Sequence, residues 1–243
     1  MRLWSKNLGP SLGRGRSCAA DCSFLMPCRY GIVQFWDYFP RKEALMSDEF
    51  DAEAWLASRP TLTEDRSHPN HWFNRAADLR ASAGAIWYSM SAQNKETVSK
   101  ELGLGSGHDM EIACWHVYHM LCGLALEVII KAVLVQRGIK GYETHHFERL
   151  CKLVGVTPTP DEAQLLAFYE DAIFWIGRYP IPKQATDDKL TTSYKRAESV
   201  LFSKSKVIPG TSLEWTEPSG ATDWPQFHTL WLRYANMFDH SKG

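Results

Sequence analysis

Apolar side chains recur every three or four positions along most of the chain after residue 46, which is the spacing of one face of an α-helix. The clearest run predicts an amphipathic helix from about Pro69 to Ser91, capped by Asn70. Its apolar positions are Trp72, Ala76, Leu79, Ala83, Ile86 and Met90. No alternating pattern long enough for a β-strand accompanies these runs, so the sequence predicts an all-α protein.

The segment 111–137 is apolar on every side rather than on one face. Its interior carries only two fixed charges, Glu127 and Lys131, which stand four positions apart as in an ion pair along a helix. Because a buried charge without a partner is costly, we expect these two side chains to form a structural polar cluster, linked to His146 in the next segment. The helix is expected to end at Gly138 and to lie at the centre of a bundle.

Shorter segments complete the predicted bundle. The clearest start is Thr159-Pro160-Asp161-Glu162, a capping residue followed by proline and two acids. Residues 93–110 are polar and glycine-rich, and they are predicted to form a connection between helices. The remaining predicted helices cover His146–Leu153, 159–177, 187–204 and a last segment that begins at 223–225.

Charge and composition exclude some classes of protein. The chain has 27 Lys and Arg against 28 Asp and Glu, so no overall field attracts nucleic acid or a membrane. Residues 1–45 hold seven basic and three acidic side chains, and the remainder holds 20 against 25. No secretory signal precedes the six cysteines, and no unbroken apolar run is long enough to span a bilayer. A cytoplasmic protein is therefore expected.

The first 45 residues differ in character from the rest. They are rich in Arg, Gly, Ser, Cys and Trp and show no sustained periodicity, which predicts a disordered extension or a spurious gene start with Met46 as the initiator. A targeting tail is the alternative. The predicted organisation is thus an extension over 1–45, a linker with a short helix over 46–69, and a bundle over 70–243.

No metal or cofactor site is predicted. Cys18, Cys22 and Cys28 have a spacing that matches no common zinc pattern. Glu143 precedes His146 by three positions, but a di-iron bundle needs two such motifs and two further carboxylates. A phosphate-binding loop followed by Lys-Ser/Thr, a nucleophile elbow and a zincin motif are likewise missing from the sequence.

Three motifs in order resemble those of the HEPN family of helical domains. They are an Ala-x-Glu-x-x-x-Lys-Ala-x-Leu helix, a His-initiated helix start, and an Arg-Tyr-Pro after the next helix. In this chain they occupy Ala125–Leu134, His146–Leu150 and Arg178–Pro180. The resemblance covers about residues 70–182, and it implies an up-and-down helix bundle.

The resemblance also implies chemistry on RNA or nucleotides. Many members of the family are metal-independent endoribonucleases with an Arg followed, after four to six residues, by a His near a dimer cleft. Arg233 and His240 match this spacing in the last helix and are the candidate catalytic pair, the Arg holding a phosphate and the His exchanging a proton. The alternative is that both lie on the solvated face of that helix. A second match, Arg66 with His71, lies at the border of the first long helix.

Arg178, Tyr179 and Asn236 are candidate substrate-binding residues. An Arg at position 178 suits a phosphate, and the alternative is that Arg178 and Tyr179 brace the end of the preceding helix. The family resemblance further implies a homodimer, an RNA or nucleotide ligand, and a nucleotidyltransferase-type antitoxin as partner, as in a toxin–antitoxin or defence system. The rival interpretation is a non-enzymatic dimerisation or interaction module.

Overall fold

The computed structural model describes residues 51–105, 107–203, 206–207 and 214–242. The chain divides into two compact units, Met1–Arg59 and Pro60–Gly243. In the first unit the described part forms helix α1, Ala52–Ser58, whose first turn is capped by the Asp51 carboxylate. The extension predicted over 1–45, with its three cysteines, lies outside the described residues.

The described part of the second unit is built almost entirely of helices, which confirms the all-α prediction. The helices are α2 Leu62–Arg66, α3 Pro69–Met90, α4 Lys95–Glu101, α5 Met110–Gln136, α6 Phe147–Val154, α7 Pro160–Asp171, α8 Asp187–Leu201 and α9 Trp224–Ala235. A π-helical turn, Ala172–Ile176, continues α7, and a 3₁₀ turn covers His240–Lys242. Two short antiparallel strands, β1 Lys206–Val207 and β2 Glu214–Trp215, pair beside them.

Helix α5 is the centre of the bundle. It packs most extensively along α3 and also contacts α4, α6, α7, the π-helical turn and α9. Neighbours on all sides explain why the helix carries no polar face. By length and composition α5 could cross a membrane, but 72% of its most apolar window is buried by the rest of the protein, as in the core helix of a soluble domain.

Two glycines bring α5 close to the end of α7. A Cβ added at Gly123 would lie 2.9 Å from both the Ile173 side chain and the Tyr169 carbonyl oxygen. A Cβ added at Gly177 would overlap the Met120 side chain. The absence of a side chain at these positions lets the π-helical turn lie directly against α5.

Some predicted boundaries were wrong. Helix α4 lies inside the segment that was predicted to be a connection between helices. Its sequence KETVSKE buries only Ser99 and therefore carries no apolar stripe from which a helix could be predicted. The cap of α3 is His68 rather than Asn70: the His68 imidazole accepts the Asn70 N–H, and Pro69 occupies the first helical position.

Candidate functional site

The buried carboxylate of Glu127 organises a polar cluster between α5 and the start of α6. It accepts a hydrogen bond from Lys131 Nζ at 2.7 Å, and both of its oxygens lie 3.0 Å from Nδ1 of His145. The histidine linked to the ion pair is therefore His145, and the prediction of His146 was wrong. His146 caps the start of α6 in an extended backbone conformation, and its imidazole binds Glu170 rather than Glu127.

The second histidine has its own carboxylate. Nδ1 of His146 lies 2.7 Å from Oε1 of Glu170 on α7. The other Glu170 oxygen accepts the backbone N–H of Phe147 at 3.0 Å, and thereby satisfies a free amide at the start of α6. Glu170 thus fixes both the helix start and the orientation of the imidazole.

The two imidazoles, which we call the histidine pair, share one arrangement. Each binds a carboxylate through Nδ1, and the side chains of His145 and His146 are 57% and 64% exposed. A carboxylate on Nδ1 fixes the tautomer, so that Nε2 is left to accept or donate a proton. The ring of Phe174 lies beside both imidazoles, with centroids 5.8 and 5.6 Å away.

Phe174 belongs to the π-helical turn, an element that is frequent at functional sites. The turn is closed by the N–H of Gly177, which donates to the carbonyl of Ala172 at 3.1 Å. One turn further, Arg178 donates to the Phe174 carbonyl at 2.7 Å, and its guanidinium lies 5.3 Å from the Tyr179 ring centroid. Arg178 therefore braces this helix end, while no carboxylate among the described residues pairs with it.

A groove of about 550 Å³ opens beside Arg178 and Tyr179, between α5, the end of α7 and α8. Most of its lining is aromatic or apolar. The aromatic residues that line it are Trp115, His116, His119, Phe168, Trp175, Tyr179 and Tyr194. The π-helical turn contributes to both places, because Phe174 lies beside the histidine pair and the next two residues of the turn line the groove.

His119 is the most deeply buried polar residue of the groove, with 1% of its surface exposed. Its ring stands nearly perpendicular to those of Trp115 and Phe168, at 4.5 and 5.0 Å between centroids. Burial, and more weakly the neighbouring His116, lowers the pKa of the His119 imidazole to about 3. Nε2 of this neutral ring has no hydrogen-bond partner among the described residues.

The candidate catalytic residues of the last helix do not form a shared face. Helix α9 ends at Ala235, so the polar face predicted to continue through His240 stops there. Arg233 is paired with Glu162 of α7, a bond that raises the pKa of the guanidinium. His240 lies in the 3₁₀ turn, and its ring stands edge-on to Phe73 at 4.8 Å.

The carboxylate partner of Arg233 is itself held in place. Burial acts to raise the pKa of Glu162, but hydrogen bonds from Arg233 and from Thr159 outweigh it, and the pKa is lowered. Asn236 is the C-cap that follows α9, and it is not among the residues that line the groove. Of the candidate substrate-binding residues, the structure therefore brings together Arg178 and Tyr179 and leaves Asn236 apart.

Several residues of the site are not singled out by the sequence. The two adjacent histidines are a sequence signal that could have identified His145 as well as His146. Glu170 and Phe174 carry no such signal, because their partners lie more than 20 positions away along the chain. The π-helical turn that positions Phe174 has no recognisable sequence pattern either.

The family model of the HEPN domain matches residues 92–207. No curated protein and no solved structure matches the chain. The matched residues include α5, the histidine pair and the whole groove, whereas Arg233 and His240 lie outside them. The order of motifs, the helical bundle and the family match agree, and together they support a HEPN-like helical domain over residues 92–207.

Proposed function

We propose that this HEPN-like protein acts on RNA and cleaves it at the histidine pair. A HEPN domain points to ribonuclease, nucleotide-related or toxin–antitoxin-type functions. The observation that carries the proposal is the arrangement of His145 and His146, two neighbouring imidazoles that are each oriented by a carboxylate and are each more than half exposed. Such a pair supplies a general base and a general acid at one place.

The proposed reaction is an intramolecular transfer at phosphorus. Nε2 of one neutral imidazole takes the proton of a ribose 2′-hydroxyl, and the 2′-oxygen forms a bond to the phosphorus. The bond from phosphorus to the 5′-oxygen breaks, and the other imidazole, protonated at the start, gives its proton to that oxygen. The products are a 2′,3′-cyclic phosphate and a 5′-hydroxyl, and proton exchange with water restores the two imidazoles.

Cationic side chains near the histidine pair support a phosphate in this position. Arg149 and Lys152 line a cleft of about 380 Å³ together with His146 and Glu170. Arg178 donates to the Phe174 carbonyl and has no carboxylate partner among the described residues. Guanidinium groups suit the charge that develops on the phosphate oxygens during transfer.

Cleavage of single-stranded RNA in the presence of EDTA tests the proposal. We expect His145→Asn and His146→Asn each to lower the rate by about 10²- to 10⁴-fold, the usual contribution of a general acid or base. His240→Asn is the matched control and should retain the wild-type rate. If Arg233→Ala and His240→Asn abolish cleavage while both variants of the histidine pair remain active, catalysis belongs to α9 and the proposal is wrong.

A second candidate function is a non-enzymatic interaction module. It is favoured by large apolar side chains that are exposed on the second unit, namely Tyr88 at 66%, Leu102 at 61% and Ile112 at 76%. HEPN domains typically dimerise, and these residues are our proposed contact for a second copy. A protein that dimerises, binds RNA and cleaves none would fit this candidate.

We further propose a toxin–antitoxin role, with a nucleotidyltransferase-type antitoxin as the partner. Expression of the wild-type chain should then arrest growth, and His145→Asn should relieve the arrest. Co-expression of a nucleotidyltransferase encoded by the neighbouring gene should relieve it as well. Arrest that persists in both cases would contradict this role.

A further inference from the structure

We infer that the exposed ring of Phe174 is a platform on which an unpaired RNA base stacks, next to the phosphate that is cleaved. The inference rests on the proposed function at the histidine pair, and it names a residue that holds the substrate there. Phe174 is not among the residues that line the groove beside Arg178.

Phe174 is exposed where its neighbours in the chain are buried. Ile173 and Trp175 belong to the core, with 6% and 8% of their surface exposed, whereas Phe174 keeps 39%. A single exposed apolar side chain is common on protein surfaces and needs no explanation by itself. The place of this ring in the site is what carries the inference.

The ring lies at nearly the same distance from both members of the histidine pair. Its centroid is 5.8 Å from that of His145 and 5.6 Å from that of His146. In RNA a base is joined directly to the ribose whose 2′-hydroxyl reacts, and the next base follows the leaving 5′-oxygen. A strand whose reacting atoms meet both imidazoles therefore brings one of these two bases to the ring.

The contacts of Phe174 with the protein leave stacking on its ring to a ligand. The imidazole of His145 stands at 73° to the phenyl plane and that of His146 at 45°, so neither histidine stacks face to face on it. Among the described residues no third aromatic ring lies against Phe174. Unpaired RNA bases stack on aromatic side chains of this kind, because every base has a π-face.

Hydrogen bonds on both sides fix the backbone that carries the ring. The N–H of Gly177 donates to the carbonyl of Ala172 at 3.1 Å and closes the π-helical turn. The guanidinium of Arg178 donates to the carbonyl of Phe174 itself at 2.7 Å. A platform whose backbone is fixed before the substrate arrives loses less conformational entropy on binding.

An end-labelled oligoadenylate with one abasic ribonucleotide at its centre tests the inference on the unaltered protein. The abasic residue keeps its 2′-hydroxyl and both phosphates and lacks only the base. We expect one of the two bonds that flank it to be cleaved about tenfold more slowly than the same bond of the unmodified strand, as the loss of one stacked base predicts. The other bonds of the strand are the internal standard, and unchanged rates at both flanking bonds would overturn the inference.

Variants assign the lost stacking to one ring. Phe174→Leu should cleave the abasic and the unmodified position at equal rates, because the ring is gone, and Phe174→Trp should keep the difference. Tyr194→Leu is the matched control, because it removes a 60% exposed ring from the groove instead and should keep the wild-type ratio. A difference that survives in Phe174→Leu, or one that disappears in Tyr194→Leu, would contradict the assignment, and the wild-type comparison stands even if Phe174→Leu does not fold.

The outcomes keep this inference apart from the proposed function. If cleavage depends on the histidine pair but not on the abasic residue, the platform fails and the proposed function stands. If the protein cleaves no RNA, the proposed function fails, and binding tests the platform with an RNA strand that carries 2-aminopurine, whose fluorescence falls when it stacks on an aromatic ring. The wild type should then quench this fluorescence and Phe174→Leu should not, whereas no quenching by the wild type, or equal quenching by both, would overturn the inference.

Discussion

Glu127 shows how a single carboxylate can hold together the polar centre of an apolar helix. It is surrounded by core residues of α5, and it satisfies the ammonium of Lys131 as well as the imidazole of His145. The side chains of Glu127 and Lys131 are 4% and 9% exposed. At this depth, removal of one partner leaves the other charge buried and unpaired. The unpaired charge lowers the free energy of unfolding by more than the intact ion pair contributes to it.

We therefore predict that Glu127→Ala lowers the free energy of unfolding by about 3–5 kcal/mol. The double variant Glu127→Leu with Lys131→Met should be less destabilised than the single variant, because no unpaired charge remains. Glu148→Ala, at an exposed position of α6, is the control and should stay within about 0.5 kcal/mol of the wild type. Urea unfolding measures all three, and a double variant no more stable than the single one would contradict the account.

The burial of the His119 imidazole makes the free energy of unfolding depend on pH. Its pKa is about 3 in the folded protein against 6.5 for an ordinary histidine, so the unfolded chain binds more protons between these two values. Stability contributed by the neutral ring is present above pH 6.5 and is lost as the pH falls from 6.5 toward 3.

Between pH 7 and pH 5 we expect the wild type to lose about 2 kcal/mol more stability than His119→Leu, since one pKa unit corresponds to about 1.4 kcal/mol. Urea unfolding of the two proteins at both pH values measures the difference. Parallel losses in the two proteins would show that His119 does not titrate in this way.

At the scale of elements, the close contact of α5 with the end of α7 positions the site. Gly123 allows the contact, and the π-helical turn that results aims Phe174 at the histidine pair. A substitution that forces these elements apart should disturb the fold and the site together.

Gly123→Ala should be destabilising by about 1–3 kcal/mol, the usual effect of overpacking, although alanine is the better helix former. The added methyl group would meet the Tyr169 carbonyl oxygen, which is backbone and cannot rotate away. Ala113→Gly, at an exposed position of the same helix, is the control and should cost about 1 kcal/mol through helix propensity. Thermal unfolding distinguishes the two, and a more stable Gly123→Ala variant would contradict the close contact.

The elements differ in how far the sequence predicts them. Helix α5 is predicted in full, because burial on every side leaves only two interior charges in a long apolar run. Helix α4 is not, since it contributes little to the core and its sequence is polar. The π-helical turn follows from the fit of Gly123 and Gly177 against other helices, and this fit is a tertiary property that no local pattern contains.

The residues of the candidate site likewise divide into those that a local sequence pattern predicts and those that depend on tertiary packing. Glu127 and Lys131 are predictable because they stand four positions apart on one helix. Which of His145 and His146 binds Glu127 depends on the backbone conformation just before α6. The pairing of Arg233 with Glu162 depends on how α7 and α9 pack. Long-range geometry of this kind decides which polar residues are free for chemistry.

For the whole molecule, the exposed apolar side chains on α3, after α4 and on α5 support a homodimer. Light scattering at tens of micromolar should give about twice the 27.7 kDa mass of one chain. Ile112→Glu should shift the protein to a monomer, because the side chain is 76% exposed in a single chain and would be buried by a second copy. Leu232→Glu, at a less exposed position of α9, is the control, and a wild-type protein that remains monomeric would contradict the dimer.

The most direct test of the central claim is the pH dependence of kcat/KM for RNA cleavage in the presence of EDTA. A general base and a general acid that work together give a bell-shaped profile. We predict such a profile for the wild type, and we predict that His145→Asn and His146→Asn each remove one limb, at a rate about 10²- to 10⁴-fold lower. A full bell-shaped profile in both variants would show that the histidine pair is not the site of the chemistry.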